Sequence, residues 1–199
     1  MKLSTAELEL SRIDPDMGVI IQRNGPIVRE PSTNYFESLS EAIVSQQISV
    51  KASDKIFGRF VEATQLNPEH VVALSEEDIK MIGLSGQKSR YLHDLAEHFV
   101  RDSAIFNHLD SLNDDEVITE LTRVKGIGVW TAQMFLMFTL MRPDVFAPDD
   151  RGLQLAIQKM YGLPDVPPRA ELEAIARKWS PYRTTACYHL WHSLDNAPL

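Results

Sequence analysis

Apolar residues recur along this chain at intervals of three and four, the spacing that lines one side of an α-helix. Phe36, Leu39, Ile43 and Gln47 share one stripe, and Ile56, Phe57, Phe60 and Val61 form the next. Tyr91, Leu92, Leu95, Ala96, Phe99 and Val100 repeat the pattern over a longer segment. Start signals agree with the periodicity. Ser75 precedes Asp78, and Asn113 precedes Glu116, by the spacing at which a capping oxygen and a carboxylate satisfy each other's backbone amides. Alternating strand patterns are absent apart from Val19 to Ile21, an ambiguous stretch before Asn24-Gly25-Pro26. The expected fold class is all-α. Asn24 to Ser32 reads as a loop between a short amino-terminal helix and the main bundle, and Pro164 to Pro168 separates the last two helical regions.

Composition narrows the picture. A chain of 199 residues forms one substantial core, or two small lobes sharing a cleft, and is expected to fold as a single domain. Apolar residues at 44% and charged residues at 24% are ordinary for a soluble globular protein. No apolar run approaches the roughly 18 residues that cross a bilayer, and no export leader is evident. The expected location is intracellular, in cytoplasm or nucleoid, without membrane association. The lone Cys187 excludes an internal disulfide and a four-thiolate cluster, and is expected to be buried in the last helix. His189 and His192 lie three apart with no third ligand at a fitting spacing, so zinc is not expected.

The net charge of −8 argues against a nucleic-acid partner, because phosphate neutralisation supplies most non-specific affinity. Local patches rather than totals set the field a ligand feels. Lys51, Lys55 and Arg59 share one helical face, Lys88 and Arg90 flank a helix start, and Lys125 lies in a glycine turn. Taken singly, each reads as a solvated surface charge.

A helix is expected from Asn113 to Arg123, an interruption at Val124-Lys125-Gly126-Ile127-Gly128, and a second helix from Val129 to Met141. Two glycines around one aliphatic residue suit a tight turn in which backbone approaches something closely while Ile127 plugs the core. The amides of Gly126, Gly128 and Thr131 would then face outward, where a phosphate oxygen could sit. A plain helical hairpin with a glycine stop is the simpler alternative. Beyond the second helix runs Arg142-Pro143-Asp144-Val145-Phe146-Ala147-Pro148-Asp149-Asp150, a proline-bearing loop ending in acids before a helix at Gly152 to Tyr161.

In these residues the chain resembles the helix-hairpin-helix, Gly/Pro-rich loop, aspartate superfamily of DNA base-excision glycosylases, and within it the DNA-3-methyladenine glycosylase II branch. The likeness is carried by Glu41 to Val50, Ile82 to Arg90, Leu121 to Asp150, and Trp179-Ser-Pro-Tyr-Arg183 continuing to His189-Leu-Trp191. It covers about residues 35 to 195, and its specificity lies in the order and spacing of the segments. The resemblance implies a two-lobed helical fold with an interlobe active-site cleft, one lobe near residues 36–141 and the other from 1–35 plus 142–199. It also implies a monomer acting on double-stranded DNA that contains alkylated bases.

The resemblance implies further that Asp150 is the catalytic carboxylate. Asp149 and Asp150 also fit the commonest role of acids at this position, helix capping, and both roles are compatible in one residue. Cleaving a base from deoxyribose passes through an oxocarbenium-like state. An alkylated purine such as 3-methyladenine or 7-methylguanine already carries positive charge and departs neutral without an acid, so one carboxylate suffices. Bifunctional relatives carry a lysine before the residue equivalent to Thr131, whose amine forms a Schiff base. Trp130 stands there, which predicts hydrolysis without lyase activity. Trp130 and Trp191 resemble pocket walls, suited to a cationic base. Met134 replaces a frequent aromatic, Tyr35 is a further pocket candidate, and Phe36 is assigned to the core. Gln47 occupies the position of the wedge that fills the gap left by a flipped base, with Gln46 and Ile48 beside it; a helix carboxyl-terminal cap explains it equally well. Phosphate contacts are expected from Lys125, Gly126, Gly128, Thr131 and Lys88. No cofactor is expected to be required. The backbone carbonyls of Thr122, Val124 and Ile127 are implied to hold Na+ or K+. The competing readings are a non-catalytic helix-hairpin-helix DNA-binding module, and a glycosylase for another lesion such as uracil.

Overall fold

Most helix starts among the described residues are set by short polar side chains that accept from amides two or three residues on. The computed structural model describes residues 2–195. Helices account for all regular structure among them, and none is long and apolar enough to cross a membrane. Ser4 and Glu7 form a reciprocal cap at the start of α1 (Thr5–Ile13). Asp14 caps α2 (Pro15–Asn24), with Pro15 in its first turn. The stretch Val19 to Ile21 is therefore helical, because Asp-Pro is a start signal whose fixed proline dihedral suits a first turn. Two helices precede the Gly25 to Asn34 loop where one was expected.

The chain continues through α3 (Tyr35–Ser45), α4 (Val50–Thr64), α5 (Pro68–Val72), α6 (Glu76–Ile82), α7 (Gly86–Arg101), α8 (Ser103–Phe106) and a 3-10 turn at Leu109–Ser111. The hairpin pair α9 (Asp114–Thr122) and α10 (Val129–Phe138) comes next, then α11 (Arg151–Met160), α12 (Arg169–Arg177) and α13 (Arg183–Asp195). Both capping boxes expected from the sequence are present, Ser75 with Asp78 on α6 and Asn113 with Glu116 on α9. The second hairpin helix stops short of Met141. The amides of Thr139 and Leu140 both return to the Phe135 carbonyl, and Met141 turns left-handed with φ 54°.

Two compact units result, residues Pro31–Leu140 and the two chain ends Met1–Glu30 with Met141–Leu199. In the central unit α3 packs on α4, α7 and α10, while α5 and α8 pack on α7 and α9 on α10. Its core includes Leu39, Ile43, Phe60, Leu95 and Leu121, all fully buried. Phe99 meets Phe36 and Phe106 edge to face at 5.1 and 5.2 Å. Burying each such side chain contributes about 1.5–3 kcal/mol. Ser32 ties the entry of this unit to its exit by donating to the Thr139 carbonyl.

In the terminal unit α13 packs against α1, α2 and α11. Trp179 is fully buried, and its indole N–H donates to Asp14 Oδ2, the oxygen that also accepts from the Tyr161 hydroxyl. The buried His189 lies between Glu7 and Asn24. The proline-bearing loop is fastened to α13 at two points: Arg183 forks onto both carboxylate oxygens of Asp144, and the Thr184 hydroxyl bridges Arg142 and Val145.

Candidate functional site

The loop from Pro143 ends at Asp150, which is the N-cap of α11. Its Oδ1 accepts from the Leu153 amide at 2.8 Å and from the Trp191 indole N–H at 2.9 Å. Two donors from different elements fix the carboxylate plane, and the helix start favours its negative charge. Gly152 makes the approach of Trp191 possible: a Cβ there would lie 3.1 Å from both Asp150 Oδ1 and Trp191 Cδ1. The neighbouring acid is placed differently. Asp149 is exposed and pairs with Arg169 at 2.9 Å. Cys187 is fully buried in α13, and burial, reinforced by the negative charge of Asp150, pushes its thiol well above the usual range. Sequence reasoning misses Tyr188. Its ring lies 6.5 Å from that of Trp191, and the Arg29 guanidinium stands over it at 4.9 Å. The spacing of three on one helix is the available signal for this pair.

In the central unit, Ile127 is buried and its amide donates back to the Val124 carbonyl. Gly126 has φ 85°, and a Cβ on it would fall 2.2 Å from Tyr91 Cδ2, so conformation and packing both demand glycine. Gly128 opens α10 with no side-chain cap, which leaves the first-turn amides of this helix to other acceptors. Trp130, in that turn, is 46% exposed and is not a core aromatic. The Thr131 side chain is buried, so only its amide suits an anion. Lys125 is committed to Asp94, to which its amide and its ammonium donate at 2.8 and 2.6 Å. Burial opposes ionisation of Asp94, but Lys125 holds that carboxyl below its usual range. Lys88 donates to the Val44 carbonyl at 2.7 Å, and partial burial lowers the pKa of its ammonium. The Thr122 carbonyl ends α9, and those of Val124 and Ile127 lie in the turn between α9 and α10. Thr122 and Val124 lie at the negative end of α9, where a cation is favoured.

The turn between α3 and α4 holds the three wedge candidates. Gln46 is the C-cap of α3, and its amide nitrogen donates to the Gly126 carbonyl at 2.9 Å. Gln47 comes next, in the left-handed region at φ 58° with an exposed side chain, and Ile48 is 37% exposed. A groove of about 400 Å³ runs beside this turn, lined by Ser85, Lys88, Tyr91 and Gly126 as well as the glutamines. A second groove of about 440 Å³ lies among α3, α4 and α10, with Met134, Phe135, Phe138, Ser38 and Ser53 in its wall. Tyr35 meets Phe135 edge-on at 5.6 Å, and Phe36 is buried in the core.

A glycine hairpin, a proline-bearing loop and an aspartate at the next helix start, in that order, define a family. Residues 41–181 match the HhH-GPD superfamily of base excision DNA repair proteins, and the chain belongs to it. It is 30% identical over 199 residues to DNA-3-methyladenine glycosylase 1 of Schizosaccharomyces pombe, an alignment covering 95% of this chain and 86% of that protein. Two solved structures superpose closely. One is the S. pombe 3-methyladenine DNA glycosylase Mag1 in complex with abasic DNA, with a TM-score of 0.85, 29% identity and 98% of each chain covered. The other is a DNA-3-methyladenine glycosidase from Bacillus halodurans, with a TM-score of 0.87 and 33% identity over 97% of this chain and 90% of that one.

Proposed function

We propose that the chain is a monofunctional DNA glycosylase that hydrolyses the N-glycosidic bond of alkylated purines flipped out of duplex DNA, with Asp150 as its catalytic carboxylate. The observation that carries the reading is the placement of Asp150, at a helix start and oriented by the Leu153 amide and the Trp191 indole. An ionised carboxylate so held stabilises the positive charge that develops at C1′ and orients the attacking water. A cationic base such as 7-methylguanine leaves neutral, so the reaction needs no second acid. Trp191, with Tyr188 beside it, offers an electron-rich face to such a base, an attraction of about 0.5–2 kcal/mol. The exposed Trp130 of the central unit offers a second face of the same kind.

The hairpin amides at Gly126, Gly128 and Thr131 are assigned to a DNA phosphate, and Gln47 with Ile48 to the space vacated by the flipped base. A monovalent cation at the carbonyls of Thr122, Val124 and Ile127 belongs to the same proposal and would help to neutralise that phosphate. Action on DNA suits an intracellular location.

The decisive experiment measures base release from methylated duplex by the wild type and by Asp150→Asn. Asparagine caps a helix as well as aspartate does, so the fold persists. Release of 7-methylguanine should fall by about 10²-fold or more. Equal rates would remove Asp150 from catalysis. Binding without release would favour a DNA-binding module, and release from uracil-containing duplex alone would favour the other lesion class. Borohydride should trap no covalent protein–DNA adduct, and an adduct would refute hydrolysis without lyase chemistry.

A further inference from the structure

Lys88, Tyr91 and Asp94 stand three residues apart along one side of α7, and each holds a different piece of the surface assigned above to DNA. The Lys88 ammonium donates to the Val44 carbonyl in the last turn of α3, two residues before the Gln46 cap. The Tyr91 ring occupies the space where a Cβ of residue 126 would be. Asp94 accepts from both the amide and the ammonium of Lys125. Gln46 closes the circuit by donating to the Gly126 carbonyl. The α3–α4 turn and the α9–α10 hairpin, remote in sequence, are thus fixed to one helix and to each other.

We infer that this side of α7 sets the register between the wedge turn and the phosphate-gripping hairpin, and that Lys88 is a positioning residue acting through the α3 carboxyl terminus rather than a phosphate ligand. The partly buried ammonium supports this. Its charge stands on the Val44 carbonyl at the negative end of the α3 dipole, and that bond restrains the last turn of α3, three residues before Gln47 enters the left-handed region. A wedge that must enter the stack while the hairpin holds a phosphate needs that spacing fixed, and a misplacement of about 1 Å is enough to cost on the order of 10²-fold in rate.

The inference rests on the proposed roles of turn and hairpin, so its test does not depend on base release. A duplex carrying a tetrahydrofuran abasic analogue, with 2-aminopurine adjacent, is titrated with wild type and with Lys88→Met, which keeps the stem length and removes the charge. Wild type should raise 2-aminopurine fluorescence as the turn unstacks the site. Lys88→Met should lose most of that rise at saturating protein, while its slope of log affinity against log salt stays within about 0.3 of wild type. Lys88→Arg, which still donates, should restore the fluorescence. Asp94→Asn, at the other end of the circuit, should reproduce the loss, and thermal melting verifies that each variant is folded. A salt slope shallower by about 0.9 in Lys88→Met would mark a lost phosphate contact, and either that or a full fluorescence rise at saturation would overturn the inference. Were Lys88→Met to melt below the assay temperature, Asp94→Asn alone would decide, and an undiminished rise there would overturn it. Failure of the wild type to release 7-methylguanine would count against the proposed function alone, since fluorescence reports the register of the turn.

Discussion

The contact between Trp191 and Asp150 fixes the orientation of a helix-capping carboxylate that the proposed function makes catalytic. Trp191→Phe keeps an aromatic face and removes only the indole N–H that fixes Oδ1. Single-turnover excision of 7-methylguanine should fall by about 10-fold, in line with the value of one charge-assisted hydrogen bond, while the melting temperature changes little. Gly126→Ala tests the opposite kind of residue. It has φ 85° and no room beside Tyr91, so the alanine variant should lose about 1–3 kcal/mol in urea unfolding from overpacking, with further loss from the backbone strain. A variant as stable as wild type would mean that the hairpin rebuilds around the methyl group. At this scale the sequence discloses identities more readily than partners. The place of Asp150 at a helix start is legible from the proline-bearing loop before it. Its bond to a tryptophan on α13, and the commitment of Lys88 and Lys125 to protein acceptors, depend on contacts that no local pattern encodes.

Elements are legible where a side chain announces the backbone. The boxes at Ser75 and Asn113 and the glycine hairpin are local chemistry written in adjacent residues. The Ser4 and Glu7 box carries the same signature at the start of α1. Val19 to Ile21 is ambiguous in sequence because three apolar residues in a row fit either period, and Asp14-Pro15 decides it. The end of α10 is hidden because the apolar run continues past Phe138 while the hydrogen bonds do not.

The junction of α1, α2 and α13 carries a pH dependence. Burial disfavours the imidazolium of His189 and moves its pKa below 6.5, the Glu7 hydrogen bond offsetting only part of this. Burial would raise the Glu7 pKa, but bonds from Ile27, Ser4 and His189 outweigh it and hold the carboxyl below 4.5. In both cases the unfolded chain binds protons more readily, so each contribution is complete at higher pH and is lost on acidification. The His189 part begins to be lost as pH falls below 6.5 and is gone once pH passes its lower folded value, and the Glu7 part follows in the same way below 4.5. Urea midpoints should therefore drop progressively as pH falls below about 6.5, and His189→Gln should flatten the first part of that decline. An unchanged slope in the variant would remove His189 as its source.

For the whole molecule, the puzzle is an acidic protein in a DNA-repair family. Much of its acid is spent on helix starts, with Glu76, Glu77 and Asp78 opening α6 and Asp114, Asp115 and Glu116 opening α9, where the dipole welcomes negative charge. Three cations at or beside the hairpin are already engaged, Arg123 by Glu120 and Asp102, Lys125 by Asp94 and Lys88 by the Val44 carbonyl. On the proposed reading, backbone amides would carry much of the grip on phosphate. Fluorescence anisotropy with undamaged duplex should give a salt slope shallower than about −3, and a steep slope would point to a basic surface elsewhere.

Cys187 sits inside α13 with its sulfur inaccessible and its ionisation suppressed. An alkylating reagent cannot reach it while α13 stays packed, so its labelling rate becomes a native stopwatch for how often this unit opens. Because the cysteine is the sole thiol in the chain, mass spectrometry of trapped samples would read that opening without any introduced probe. The same measurement with substrate analogues present would reveal whether DNA slows the breathing of the helix that carries Trp191.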